Sequence, residues 1–229
     1  MGSHQSFLSA QFRASPARAR LLPYVIILGL TLVQDSLGGS LRYWIYLVKM
    51  LVGLWCIWEM RHAAPEVRWA FSWEAVTVGV MVFVIWVGLD TYYPKFQFLV
   101  KAGSPWNPFK EFGEHSTMAW FFAAVRTFGS AWVVPPIEEA FYRSFLYRYL
   151  VRVNFITVPL GQLHWRSLIL TSLIFGFSHY QWLAGILCGL AYQGLVIRKK
   201  RLGDAMTAHA ITNFLLGIWV VCKGAWHFW

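Results

Sequence analysis

Long apolar runs, separated by short polar or basic stretches, set the pattern of the 229-residue chain. They cover approximately 21–38, 42–60, 74–92, 118–134 with a continuation at 137–151, 167–179, 182–197 and 205–222. A helix crossing the hydrocarbon core needs roughly 20 predominantly apolar residues, fewer where its ends snorkel or the helix is broken. The fourth run is too long for one straight span, and Pro135-Pro136 divides it, since proline interrupts an incoming helix and suits the first turn of a new one. The pattern predicts an all-α, polytopic transmembrane helical bundle of about seven membrane helices. The number rises to eight if the continuation, or the region from Phe155 to Leu163, re-enters the membrane. Residues 1–20 read as an N-terminal tail whose Met1-Gly2-Ser3-His4 resembles an expression-tag remnant, and 21–229 as a single integral membrane domain. No cleavable signal peptide is evident, because the run from Leu21 to Val33 leads into Asp35 and Gly38-Gly39 without a small-residue cleavage site. There is no internal repeat, low-complexity tract or soluble domain.

Composition agrees, with 58% hydrophobic, 18% aromatic and 13% charged residues, and 14 Trp. A net charge of +10 raises the question of nucleic acid, but the basic residues lie between apolar runs and form no continuous stripe. Anionic membrane lipids are the better partner, and no nucleic-acid partner is expected. Cys56, Cys188 and Cys222 are widely separated, each in an apolar setting, so neither a disulfide nor a thiolate metal site is expected. With the N-terminus inside, twelve basic residues (Arg13, Arg18, Arg20, Arg61, Arg68, Arg148, Arg152, Arg166, Arg198, Lys199, Lys200, Arg201) fall on the cytoplasmic face. Five (Arg42, Lys95, Lys101, Lys110, Lys223) fall opposite, which favours that orientation by the positive-inside rule. The expected location is a cell inner membrane, crossed several times, with 93–117 as an external loop and Trp226-His227-Phe228-Trp229 as an outer interfacial anchor.

Against this apolar background one stretch stands out, Pro135-Pro136-Ile137-Glu138-Glu139-Ala140-Phe141-Tyr142-Arg143. Ionisable groups at bilayer depth are costly and mark functional sites by default. On a helix Glu139 and Arg143 are four residues apart, acid before base, the favourable order for a pair. Glu138 lies about 100° further round with no basic residue three or four positions away, and is the carboxylate left to act on something else. The alternative is a buried ion pair that only holds helices in register. His179 ends the fifth run, and His209 and Asn213 share one face of the seventh; each histidine is also readable as a packing group bonded to a backbone carbonyl. Along straight helices Glu138 lies roughly 15 Å from Arg148, His179 roughly 20 Å from Arg166, and His209 and Asn213 roughly 12 to 18 Å from Arg201. All four therefore reach a similar depth. A glutamate and a histidine at one cavity can hold and deprotonate water, and a histidine with an asparagine amide can donate to an oxyanion. These are the parts needed to hydrolyse a peptide bond without a covalent intermediate.

EExxxR at Glu138, Glu139 and Arg143, FxxxH at Phe175 and His179, and HxxxN at His209 and Asn213 occur in the order and membrane context of the CPBP intramembrane protease family, which includes the type II CAAX prenyl endopeptidases, and the chain resembles that family over about 118–222. The resemblance implies an intramembrane glutamate peptidase acting on a membrane-associated peptide or protein. In it Glu138 and His179 activate water, His209 and Asn213 stabilise the oxyanion, and Glu139, Arg143 and Phe175 support the site. No cofactor is implied. Zinc held by the same Glu and His residues is the runner-up, although no HExxH is present. The C-terminal third, with Val158-Pro159-Leu160-Gly161, Trp182-Leu183-Ala184-Gly185 and the ending Gly224–Trp229, is also similar to a bacterial CAAX prenyl protease-related subgroup associated with exosortase systems that sort PEP-CTERM proteins. A non-catalytic scaffold, immunity factor or chaperone of the same fold stays open. So does a transporter, although that class more often shows repeated halves with broken helices in both.

Overall fold

Helix boundaries fall where polar caps and prolines break the apolar runs. The computed structural model describes residues 7–95 and 105–229, which form helices and connecting turns with no strand among them. In chain order the α-helices are α1 (Phe7–Ala14), α2 (Pro16–Ser36), α3 (Leu41–Met60), α4 (Trp73–Gly88), α5 (Pro108–Phe112), α6 (Thr117–Trp132), α7 (Val134–Glu139), α8 (Tyr147–Val151), α9 (Trp165–Phe177), α10 (Trp182–Lys199) and α11 (Gly203–Lys223). Ser72 caps α4 by accepting the Ala75 N–H, and Ser116 caps α6 by accepting that of Met118, which satisfies donors that a helix start otherwise leaves orphaned. By length and composition α2, α3 and α11 can each cross a membrane, and α4 and α9 are shorter apolar helices. Large apolar side chains such as Leu32, Trp58, Trp73 and Val84 face outward, as a lipid-facing surface requires.

Three expectations are refined. The third run stops at Gly88 and gives way to a 3-10 turn at Asp90–Tyr92. Residues 1–20 are more than a tail: α1 and the first turn of α2 bring Phe12 and Ala19 into a buried cluster with Met60, Ala64 and Ala140. The 93–117 loop carries α5, whose Phe109 packs edge-on against Trp120 of α6 at 4.9 Å. Met1 to His4 and Lys101 lie outside the described residues.

Close backbone approach positions the C-terminal half. A Cβ at Gly79 of α4 would lie 2.7 Å from the Ala208 carbonyl oxygen, and one at Gly217 would lie 2.7 Å from the Thr127 side chain. Glycine at these points therefore lets α11 wedge between α4 and α6, as small residues do at membrane helix interfaces. The α9–α10 hairpin closes in the same way, with Gly185 against the Gly176 backbone. At one end of the bundle, Arg20 of α2, Glu66 of the α3–α4 loop and Arg148 of α8 form an ion cluster at 2.6 and 3.4 Å. Ser144 donates to the same Glu66 oxygen, and both guanidinium groups lie over the Phe155 ring. Residues from three regions expected on a common face thus meet. Phe155 belongs to a 3-10 turn at Phe155–Thr157 that is part of this cluster.

Candidate active site

The rod that carries the two glutamates changes its winding at the site. α6 ends at Trp132, and α7 starts at once with proline in its first turn. Immediately after Glu139 the chain widens into a π-helix over Ala140–Leu146, seen also where the Tyr147 N–H reaches back five residues to the Tyr142 carbonyl. π turns are rare and concentrate at functional positions, and nothing in the sequence period announced this one. Glu139 and Arg143 face each other across the junction at 3.2 Å, both fully buried. The guanidinium also lies over the Phe175 ring, 4.5 Å from its centre.

His209 links the two carboxylates. Its Nδ1 lies 2.9 Å from Glu139 Oε1 and its Nε2 lies 3.9 Å from Glu138 Oε2. An ionised carboxylate only accepts hydrogen bonds, so with Glu139 held against Arg143 the Nδ1 proton points to Glu139. Nε2 then donates only when the ring is protonated. Tyr192 stacks on the ring at 5.1 Å and is itself held by its hydroxyl donating to Thr212 at 2.7 Å.

His179 lies just past the end of α9, in the turn before α10. Its Nδ1 donates to the Phe175 carbonyl at 2.7 Å, the packing bond that histidines often make. That bond fixes the tautomer and leaves Nε2 as a lone-pair acceptor. Phe175 joins the motifs, touching His179 at 4.6 Å, His209 at 6.2 Å and Arg143. Glu138 is partly exposed, 21% for its side chain, yet its Oε2 is buried with no hydrogen-bond partner. No hydrogen bond joins Glu138 to His179 among the described residues. Asn213 Nδ2 donates to the Ser130 carbonyl at 2.9 Å, so one of its two N–H groups ties α11 to α6 and the other is left for a ligand.

Three aromatic residues at the site were not singled out from the sequence. The hydroxyls of Tyr24 and Tyr142 lie 2.6 Å apart, and Tyr142 donates to Ser178 at 3.2 Å, a relay that brings α2 to the site. Tyr142 is four residues after Glu138, and that spacing was a usable signal. Tyr24 and Tyr192 carried none, because both reach the site only through tertiary packing. No group of three or more His, Cys, Asp or Glu side chains able to hold a metal is formed among the described residues.

Fold and site define a helical membrane protein with an acid–base cluster where α7, the π segment, α9 and α11 converge. Residues 118–215 match the family model described as type II CAAX prenyl endopeptidase Rce1-like. That match supports placing this part of the chain with the CPBP family of intramembrane proteases, a hydrolase family. Comparison with curated proteins and with solved structures gives no match.

Proposed function

We propose that the protein is an intramembrane endopeptidase that hydrolyses a peptide bond of a membrane-associated protein through water activated by Glu138 and His179. The observation that carries this reading is the Glu138 carboxylate. It is partly open, has one oxygen without a hydrogen-bond partner, and lies within electrostatic reach of His179, whose Nδ1 is taken by the Phe175 carbonyl and whose Nε2 is left as an acceptor, while its neighbour Glu139 is occupied by Arg143 and His209. Water held at Glu138 loses a proton to the carboxylate as its oxygen bonds to the scissile carbonyl carbon. Protonated His209 and the free Asn213 N–H donate to the oxygen that becomes negative. Collapse of the tetrahedral intermediate breaks the C–N bond, and the proton passes from Glu138 to the leaving amine. Donors fixed in advance in a low-dielectric site favour the charged intermediate most.

Membrane lipids and a membrane-associated peptide or protein are the partners this reading needs, and the exosortase-associated subgroup suggests a place beside PEP-CTERM sorting in a bacterial inner membrane. The test is cleavage of a membrane-anchored peptide reporter by purified protein after exhaustive chelation, with metal content measured in parallel. Turnover that persists in the stripped protein is the expected result. Turnover that disappears and returns with stoichiometric zinc would instead make the histidines and Glu138 metal ligands.

A further inference from the structure

In the proposed reaction Glu138 and His179 share one water, yet they sit on different elements, Glu138 in α7 and His179 in the turn between α9 and α10. A chain of hydroxyls links the two elements. Tyr142, one turn beyond Glu138 on the same rod, donates to Ser178 at 3.2 Å, and Ser178 donates to the Phe175 carbonyl at 2.7 Å. A hydroxyl has one proton to give, so Tyr142 accepts from Tyr24, 2.6 Å away. The chain therefore runs in one direction, from α2 to the His179 turn. Glu138 lies within electrostatic reach of both tyrosines.

The chain ends on the Phe175 carbonyl. It lies in the last turn of α9, where carbonyls lose their intrahelical partners, and it accepts from both Ser178 Oγ and His179 Nδ1, each at 2.7 Å. Its two lone pairs are then both used. Ser178 Oγ also lies 3.2 Å from His179 Nδ1. A serine that turned its proton to that nitrogen would require the other tautomer, with the proton on Nε2 and no acceptor left for water. Tyr142 holds Ser178 against this alternative: Ser178 is exposed, whereas Tyr142 is buried with its ring edge-on to Phe175 at 4.9 Å. Tyr24 is stacked in turn on Phe141 at 4.0 Å, so the outer donor is also fixed.

We propose that Tyr142, backed by Tyr24, is a positioning residue for hydrolysis: through Ser178 it holds His179 in the Nδ1–H tautomer and in register with Glu138. This assignment rests on the peptidase reading and brings α2, which lies outside the family match, into the machinery. The test compares Tyr142→Phe, Ser178→Ala, their double variant and Tyr24→Phe with the unmodified protein. Each is measured for kcat and KM on a membrane-anchored peptide reporter and for melting temperature. The His179 ring nitrogens are followed by NMR in protein carrying isotope-labelled histidine, their signals assigned by loss in His179→Gln. Tyr142→Phe keeps the ring and removes one hydroxyl, so it should melt near the native temperature. Small displacements of reacting groups are costly, and loosening this one hydrogen bond should lower kcat about tenfold with KM within about twofold. Ser178→Ala should match it, and the double variant should be no slower than either single one, since both break one chain. Tyr24→Phe, which leaves the Tyr142 bond in place, should cost about threefold or less. The spectrum should show the proton on Nδ1 in the unmodified protein and a mixture of tautomers in Tyr142→Phe. An unchanged kcat in Tyr142→Phe, a rise in KM in its place, losses that multiply in the double variant, or a larger loss in Tyr24→Phe than in Tyr142→Phe overturns the assignment. If the unmodified protein cleaves no reporter, the peptidase reading fails and the spectrum alone decides. Mixed tautomers in Tyr142→Phe then keep the relay as the device that sets His179, and an unchanged Nδ1–H signal sinks it.

Discussion

On the peptidase reading Asn213 carries two duties, which stability and turnover measured on a single variant can tell apart. One N–H ties α11 to the Ser130 carbonyl, and the other is the one proposed to donate to the developing oxyanion. Asn213→Ala should cost about 1 kcal/mol of stability for the lost tie and lower kcat about a hundredfold, or roughly 3 kcal/mol of barrier, with KM little changed. A rise in KM at constant kcat, measured on protein whose thermal unfolding has been checked, would make Asn213 a substrate-positioning residue. The helical spacing of Glu139 and Arg143, and of His209 and Asn213, was legible because i,i+4 geometry is local. The link from His209 Nδ1 to Glu139 was not, since 70 residues separate the partners and only helix packing brings them together. For the same reason the sequence reading assigned His209 solely to the oxyanion, whereas its first bond is to the neighbouring glutamate.

At the scale of elements, the seven apolar runs and the break at Pro135-Pro136 were readable because membrane helices must be long, apolar and interrupted by identifiable residues. The π segment was not, because one extra residue per turn leaves no trace in composition. The element most exposed to test is the α3–α4 loop, where Glu66 holds Arg20 and Arg148. Burial favours its protonated form, but the Arg20 charge and hydrogen bonds from Ser144 and Arg20 outweigh this and keep the carboxyl below its ordinary range. A depressed carboxyl contributes stability that is fully present above its unfolded value and is lost as pH falls through its folded value. The protein should therefore lose thermal stability on acidification below about pH 4.3, the unfolded glutamate value. Glu66→Gln should be less stable at neutral pH by about 3 kcal/mol, since it strands two buried arginines, and should lack that part of the acid dependence. Parallel melting curves for the two proteins between neutral pH and pH 3 check both points; identical acid slopes would remove Glu66 from the account.

For the whole molecule, the positive-inside argument and the single-site argument make separate predictions. Cys222, near the C-terminal end of α11, is exposed, whereas Cys56 and Cys188 are buried. With the N-terminus inside and an odd number of crossings, a membrane-impermeant maleimide should label Cys222 in intact spheroplasts, and labelling only after permeabilisation would invert the topology. The site argument rests on two adjacent glutamates with unequal work. Glu139 is fully buried between Arg143 and His209, so Glu139→Gln should lower stability at least as clearly as turnover, by stranding a buried guanidinium. Glu138 is partly open and its Oε2 has no hydrogen-bond partner, so its replacement should spare the fold. The most direct measurement is kcat for Glu138→Gln on a peptide substrate, with the melting temperature taken on the same preparation. A near-native melting temperature with kcat reduced by a factor of about a hundred to ten thousand, the usual worth of a general base, is the predicted result, and near-normal turnover by the folded variant would contradict the account.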